Sequence, residues 1–137
     1  MSIQVHHYES GFNFDKTIDI NNINMTLVSL GNRTKFGLTI YGIGLYSDNV
    51  NINISDNLSS NDIKCLIIKI YRKITSEQMI KALVDAFNYR IDKGFVIDNN
   101  DIIKLKSILS AKEDLLYNDN FSILCEENKT HFYLNNE

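Results

Sequence analysis

Hydrophobic positions along this chain recur first at every second residue, then at every third and fourth, then at every second again. Phe14 to Ile20 and Ile23 to Leu30 are alternating or apolar runs separated by Asn21-Asn22, a pair that favours a tight turn. Leu38 to Tyr46 reads Leu-Thr-Ile-Tyr-Gly-Ile-Gly-Leu-Tyr. As a strand it sets Thr39, Tyr41, Ile43 and Leu45 on one face and Leu38, Ile40, Gly42, Gly44 and Tyr46 on the other. Both faces are apolar enough to be covered, which suits a central strand. Gly42 and Gly44, two apart on one face, predict a groove that another backbone or a ligand approaches closely. Ser47 to Ser60 is polar, Asn-rich and loop-like. Ile63 to Tyr71, nearly continuous except for Lys64 and Lys69, is the strongest strand.

The period then changes. Thr75-Ser76-Glu77-Gln78 predicts a capping box, in which the Thr75 hydroxyl accepts from the Gln78 amide and the Gln78 side chain reaches back. Met79, Ile80, Leu83, Val84, Phe87 and Ile91 follow on one helical stripe, and Lys93-Gly94 supplies a basic last turn and a terminating glycine. A second helix starts at Asn99 or Asn100, buries Ile102, Leu105, Ile108 and Leu109, and ends near Lys112. Phe121 to Cys125 and His131 to Leu134, joined by a Glu-Glu-Asn-Lys turn, form a closing hairpin. Strands, helices, strands give an α+β fold, with helices packed on an antiparallel β-sheet.

Composition narrows the function classes. At 137 residues with 44% hydrophobic and 23% charged, the chain reads as a single compact domain rather than a disordered tail or fibre. No run approaches the roughly 20 apolar residues of a membrane-spanning helix, and no signal peptide is read, so a cytoplasmic location is expected. A net charge of −3 with interspersed signs gives no general attraction to nucleic acid. The 18 Asn and 20 Ile with no Pro or Trp reflect coding bias, and the six sequons, at Asn24, Asn32, Asn53, Asn57, Asn120 and Asn128, follow from it. Cys65 and Cys125 lie in apolar runs and read as small core residues with no zinc spacing. His6 and His7 are adjacent, so a strand would point them apart, and His131 stands by itself in the hairpin. No metal site, phosphate loop or nucleophile pair is read, and no cofactor is implied.

The informative stretch is Ser29 to Tyr46, where Arg33 and Lys35 precede the Tyr-Gly-Gly-Tyr strand. On the residues themselves, a β-turn with solvated charges and a core tyrosine accounts for it better than a ligand site does. The pattern Gly31-x-Arg33-x-Lys35, Phe36-Gly37, Tyr41-x-x-Gly44-Leu45-Tyr46 resembles the signature of chalcone isomerase-fold proteins. The strand to Tyr71, the helix start at Ser76-Glu77-Gln78 and the closing hairpin come in that family's order, so the resemblance spans roughly residues 14 to 134. It implies an open-faced sandwich of sheet and helices with a ligand cleft between them. It also implies a single domain over residues 1–137; family members often carry a further C-terminal helix after the hairpin, which is either missing here or cut off at Glu137.

The isomerase chemistry of that family does not carry over residue by residue. The resemblance sets Tyr41 where the enzymes have a cleft threonine, Thr75 where they have a tyrosine and Ala82 where they have an asparagine. Losing even one donor to a developing oxyanion costs roughly 3 kcal/mol of barrier. The noncatalytic branch fits better: there an arginine and a tyrosine grip a fatty acid's carboxylate, and the matching pair is Arg33 and Tyr41. Arg33, Tyr41 and Thr75 are therefore the expected ligand-binding residues, with no catalytic residue and a fatty acid or similar small apolar carboxylate as partner. A chalcone–flavanone isomerase and a ligand-free structural or partner-binding domain are the alternatives.

Overall fold

The computed structural model describes residues 3–7, 11–48, 63–91, 99–110, 113–126 and 129–135. In chain order these form β1 (Gln4–His7), β2 (Phe12–Asp15), β3 (Thr17–Ile20), β4 (Ile23–Lys35), β5 (Leu38–Ser47), β6 (Lys64–Ile70), β7 (Ile74–Thr75), α1 (Ser76–Ile91), α2 (Asn99–Ser110), β8 (Asp114–Leu115), β9 (Asn120–Glu126) and β10 (Lys129–Leu134). Six strands make one antiparallel sheet in the order β10-β9-β6-β5-β4-β3. β1 and β2 form a separate two-stranded ribbon, and β7 pairs with β8. The expected helices on an antiparallel sheet are present.

Local chemistry accounts for most boundaries. Thr75 Oγ1 accepts from the Gln78 N–H at 3.1 Å while the Thr75 N–H donates to Gln78 Oε1 at 3.1 Å, so the capping box opens α1 as expected. Met79 and Leu83 of α1 and Leu105 and Leu109 of α2 are buried against Tyr41, Ile68, Ile70, Phe121, Ile123 and Phe132 of the sheet. The expected α1 terminator Lys93-Gly94 and α2 end at Lys112 lie outside the described residues, as does most of the loop from Ser47 to Ser60. Asn21 and Asn22 hold φ of 52° and 64°, the left-handed pair that a two-residue hairpin between β3 and β4 requires.

Two expectations change, and a third gains its partner. The run from Phe14 to Ile20 is not one strand. It breaks at Lys16, whose N–H donates to the Ile3 carbonyl while its own carbonyl accepts from the Leu27 N–H, so the chain passes from the ribbon to the main sheet there. β4 does not stop at Leu30 but continues to Lys35, so Arg33 and Lys35 stand within a strand rather than in a turn before one. The close approach expected at the glycine pair is made, at Gly44, by the chain itself. Phe14 of the ribbon is fully buried there, and a Cβ on Gly44 would meet Phe14 Cδ1 at 2.8 Å and Tyr46 Cε1 at 3.1 Å. Lys69, opposite Gly42, reaches over the Phe14 ring at 4.9 Å and donates to the Asn13 carbonyl at 2.6 Å. Tyr46 Oη donates to the Asp15 carbonyl at 2.6 Å and ties the ribbon down.

This second face is the concave one. Asn21 Nδ2, at the β3–β4 turn, donates to Tyr133 Oη of β10 at 3.0 Å, so opposite edges of the six-stranded sheet approach each other. Met25, Tyr46, Cys65 and Leu124 are buried within the curl. Cys125 packs instead with the helix-side core. The sheet thus has a core on each face.

Gly44→Ala should lower unfolding free energy by about 1–3 kcal/mol, the cost of an added methyl in a filled core. Phe14→Leu in the same chain should recover part of that loss, because it removes the ring edge the methyl meets. Urea unfolding of both variants and of Phe14→Leu by itself checks the coupling.

Candidate functional site

The β4–β5 hairpin builds the site. Lys35 pairs with Leu38 and Thr34 with Thr39, but Arg33 pairs with Tyr41, so Ile40 is one residue more than β4 offers. The Ile40 carbonyl accepts from the Tyr71 N–H at 2.9 Å and the Arg72 N–H at 3.1 Å, which fixes this shift to the segment leading into α1. Directly opposed residues share a face of the sheet. The shift therefore sets Arg33 and Tyr41 side by side on the helix-facing side, and Ile40 packs toward the same core.

Tyr41 is buried and Arg33 is exposed, with the guanidinium hydrogen-bonded to the phenol. Burial raises the phenol above its ordinary value of 10.0, and the charge and hydrogen bond of Arg33 pull it part of the way back. The phenol stays protonated at neutral pH and stands beneath the guanidinium.

Outside this pair opens a cavity of about 600 Å³, within the size range of small-molecule sites. Arg33 and Lys35 of the hairpin, Lys73 before β7, and Gln78 and Lys81 of α1 line it, with Ile40, Ile74 and Ala82 as apolar wall. Gln78, Lys81 and Ala82 fall three and four apart, so one face of α1 meets the hairpin. Lys73 lies 3.4 Å from Asp114 in a partly exposed pair that offsets part of its charge. The four cations lining the cavity, two from the hairpin and two from the segment through β7 and α1, favour an anion, and the apolar positions accept what the anion is attached to. A second cavity of about 470 Å³ lies between α2 and β10, lined by Ile108 and Phe132 with Lys104 and His131 at its rim.

Of the three expected site residues, Arg33 lines the cavity, Tyr41 is its buried partner, and Thr75 caps α1 with both its hydroxyl and its N–H engaged by Gln78. Ala82, the position matched to an asparagine in the isomerases, is in the wall. Lys73, Gln78 and Lys81 were not anticipated as lining residues. The spacing of Gln78 and Lys81 on a helix whose other stripe is buried was the signal for two of them; nothing in the sequence marks Lys73. Among the described residues, no group of three or more His, Cys, Asp or Glu side chains converges as a metal site, and no helix is long and apolar enough to cross a membrane.

Comparison with known proteins agrees with this architecture. The sequence profile of the chalcone isomerase-like family matches residues 8–137. The crystal structure of an Arabidopsis thaliana fatty-acid binding protein superposes with a TM-score of 0.71 at 16% identity, covering 98% of this chain and 79% of that one. At that identity the likeness is one of fold. No curated protein sequence matches the chain significantly.

The Tyr41 phenol gives a direct test of the pair. Because its folded pKa lies above the unfolded value, its contribution to stability is complete below about pH 10 and is lost as pH rises through the folded value. The difference between ultraviolet titrations of wild type and Tyr41→Phe isolates its ionisation. Arg33→Ala should move that ionisation to higher pH, since only the two effects that lower it are removed.

Proposed function

This chain belongs to the chalcone isomerase-like family, and within that family we propose that it is a noncatalytic binder of a fatty acid or a similar small apolar carboxylate. The observation that carries the reading is the Arg33–Tyr41 cross-strand pair at the back of a cation-lined cavity between hairpin and helix. A carboxylate needs a fork of N–H donors held at fixed orientation, and a guanidinium supplies it. Free arginine side chains lose rotamer freedom on binding; Arg33 is already tethered by the buried phenol, so less is lost. Lys35, Lys73 and Lys81 add long-range attraction, while Ile40, Ile74 and Ala82 offer the first apolar contacts for a tail. The structural neighbour from Arabidopsis thaliana, described as a fatty-acid binding protein, supports the same ligand class.

The cleft argues against flavonoid cyclisation as the main role. The Thr75 hydroxyl oxygen accepts from the Gln78 N–H in the helix cap, which fixes it at the start of α1, and Ala82 brings a methyl group where hydrogen bonding to a reacting ketone is needed. Thr75 keeps a part in the proposed site through Gln78, which it holds against the cavity by the reciprocal cap.

Titration of a fluorescent acyl probe tests the reading. A hydrogen bond to a charged group contributes roughly 1.5–3 kcal/mol, so Arg33→Ala should weaken binding of the acid by about tenfold to a hundredfold. Tyr41→Phe, which removes only the hydroxyl, should weaken it less. The methyl ester of the same acid should respond little to Arg33→Ala. Equal affinities of acid and ester for wild type and variant would remove Arg33 from the site. In a separate assay, a hydroxychalcone incubated with the protein should keep its visible absorbance; fast stereoselective loss of that band would establish the isomerase instead.

A further inference from the structure

The end of the β4–β5 hairpin carries residues that neither the core nor the cavity uses. Lys35 pairs with Leu38, so Phe36 and Gly37 form a two-residue turn, with φ of 54° and 76°. Both positions are left-handed, a conformation in which a bulky side chain is an outlier and asparagine or glycine is the favoured choice. The chain follows that preference at the β3–β4 turn, where Asn21 and Asn22 hold nearly the same φ values. At the β4–β5 tip an aromatic residue stands where asparagine serves in that turn, and its side chain is 93% exposed. Leu38 beside it is 49% exposed, and Lys35 Nζ lies 5.8 Å from the Phe36 ring centroid. The same hairpin carries Arg33, and Lys73 and Lys81 face it across the cavity.

An exposed ring and a leucine projecting beyond a cluster of cations match the layering of an anionic bilayer surface. There, aromatic rings settle at the headgroup level, apolar side chains reach the acyl boundary, and lysine and arginine meet lipid phosphates. We propose that the tip of the β4–β5 hairpin, Phe36 and Leu38 backed by Lys35 and Arg33, docks this protein on anionic lipid bilayers. The chain's net charge is −3, so the attraction is local to this end of the molecule and sensitive to salt. Arg33 and Lys35 belong to both the tip and the cavity lining, so docking holds the hairpin side of the cavity at the lipid surface. The proposal does not require that the cavity bind a fatty acid; it names where such a ligand would be exchanged.

The chain has no tryptophan, so Phe36→Trp introduces a sole reporter at the tip. With vesicles of equal phosphatidylglycerol and phosphatidylcholine, its emission should shift to the blue and be quenched by brominated acyl chains. With phosphatidylcholine by itself, the shift should be much smaller. Phe36→Gly relieves the left-handed strain, so it should fold with equal or greater thermal stability, yet bind the anionic vesicles about tenfold more weakly in sedimentation. Its affinity for a soluble acyl probe should match wild type, whereas Arg33→Ala should lower probe affinity. This separates failure of the docking surface from failure of the ligand site. An unshifted emission spectrum for Phe36→Trp, wild-type vesicle binding by Phe36→Gly, or equal binding to both vesicle types would overturn the proposal.

Discussion

One extra residue in β5 decides what this fold can present to a ligand. In a hairpin that began at Lys35 and Leu38 and kept strict register, Arg33 would oppose Ile40, and Tyr41 would turn to the other face. The shift at Ile40 returns Tyr41 to the helix side, beside Arg33. The two hydrogen bonds that Ile40's carbonyl accepts from Tyr71 and Arg72 hold the shift against the strand that leads to α1. The cation, the buried phenol, and the helix face carrying Gln78, Lys81 and Ala82 therefore share one mechanical reference point. A side-chain pair on a loop would lack it.

The two faces of the sheet divide the work. On the concave side the chain's own N-terminal ribbon makes the close approach, with Phe14 over Gly44 and Tyr46 tied to Asp15. The convex side is covered by α1 and α2 over most of its width. Space remains where the long β4–β5 hairpin extends past the start of α1, and that is where the cationic cavity opens. The position of the site is thus a consequence of strand length: β4 has 13 residues and β5 has 10, against 7 for β6, so the hairpin reaches beyond the layer that would cover it.

Features whose signal is local were legible in the sequence. The capping box, the helix stripes as far as their side chains are described, the Asn21-Asn22 turn and the paired strands of the closing hairpin each rest on a few neighbouring residues, and each is present. The resemblance carried by Arg33, Lys35 and Tyr41 through Tyr46 agreed with the family and the fold. What escaped is non-local. Alternation runs smoothly through Lys16 although the chain changes sheets there, because both partners of Lys16, Ile3 and Leu27, are distant in sequence. The Ile40 shift is invisible because strict alternation assigns Ile40 and Tyr41 to opposite faces. The glycine pair correctly marked a close approach, but a sequence cannot say that the visitor is Phe14 rather than a ligand. Arg33 and Lys35 looked like turn residues because charges at an exposed strand end leave no apolar rhythm.

The two-sided core also decides whether the two cysteines can pair with each other. Cys65 and Cys125 sit on the adjacent strands β6 and β9, one register step apart, since Lys64 pairs with Cys125 and Cys65 with Leu124. Yet Cys65 points into the concave core and Cys125 toward the helices. A disulfide needs β-carbons that face each other within about 4.5 Å, and here the thickness of the sheet's backbone stands between them. Burial also pushes the Cys65 thiol up to about 12, so almost no thiolate is available to attack anything that reaches it. The sheet insulates its two thiols from one another, so adjacency of β6 and β9 does not by itself bring a disulfide between them within one chain.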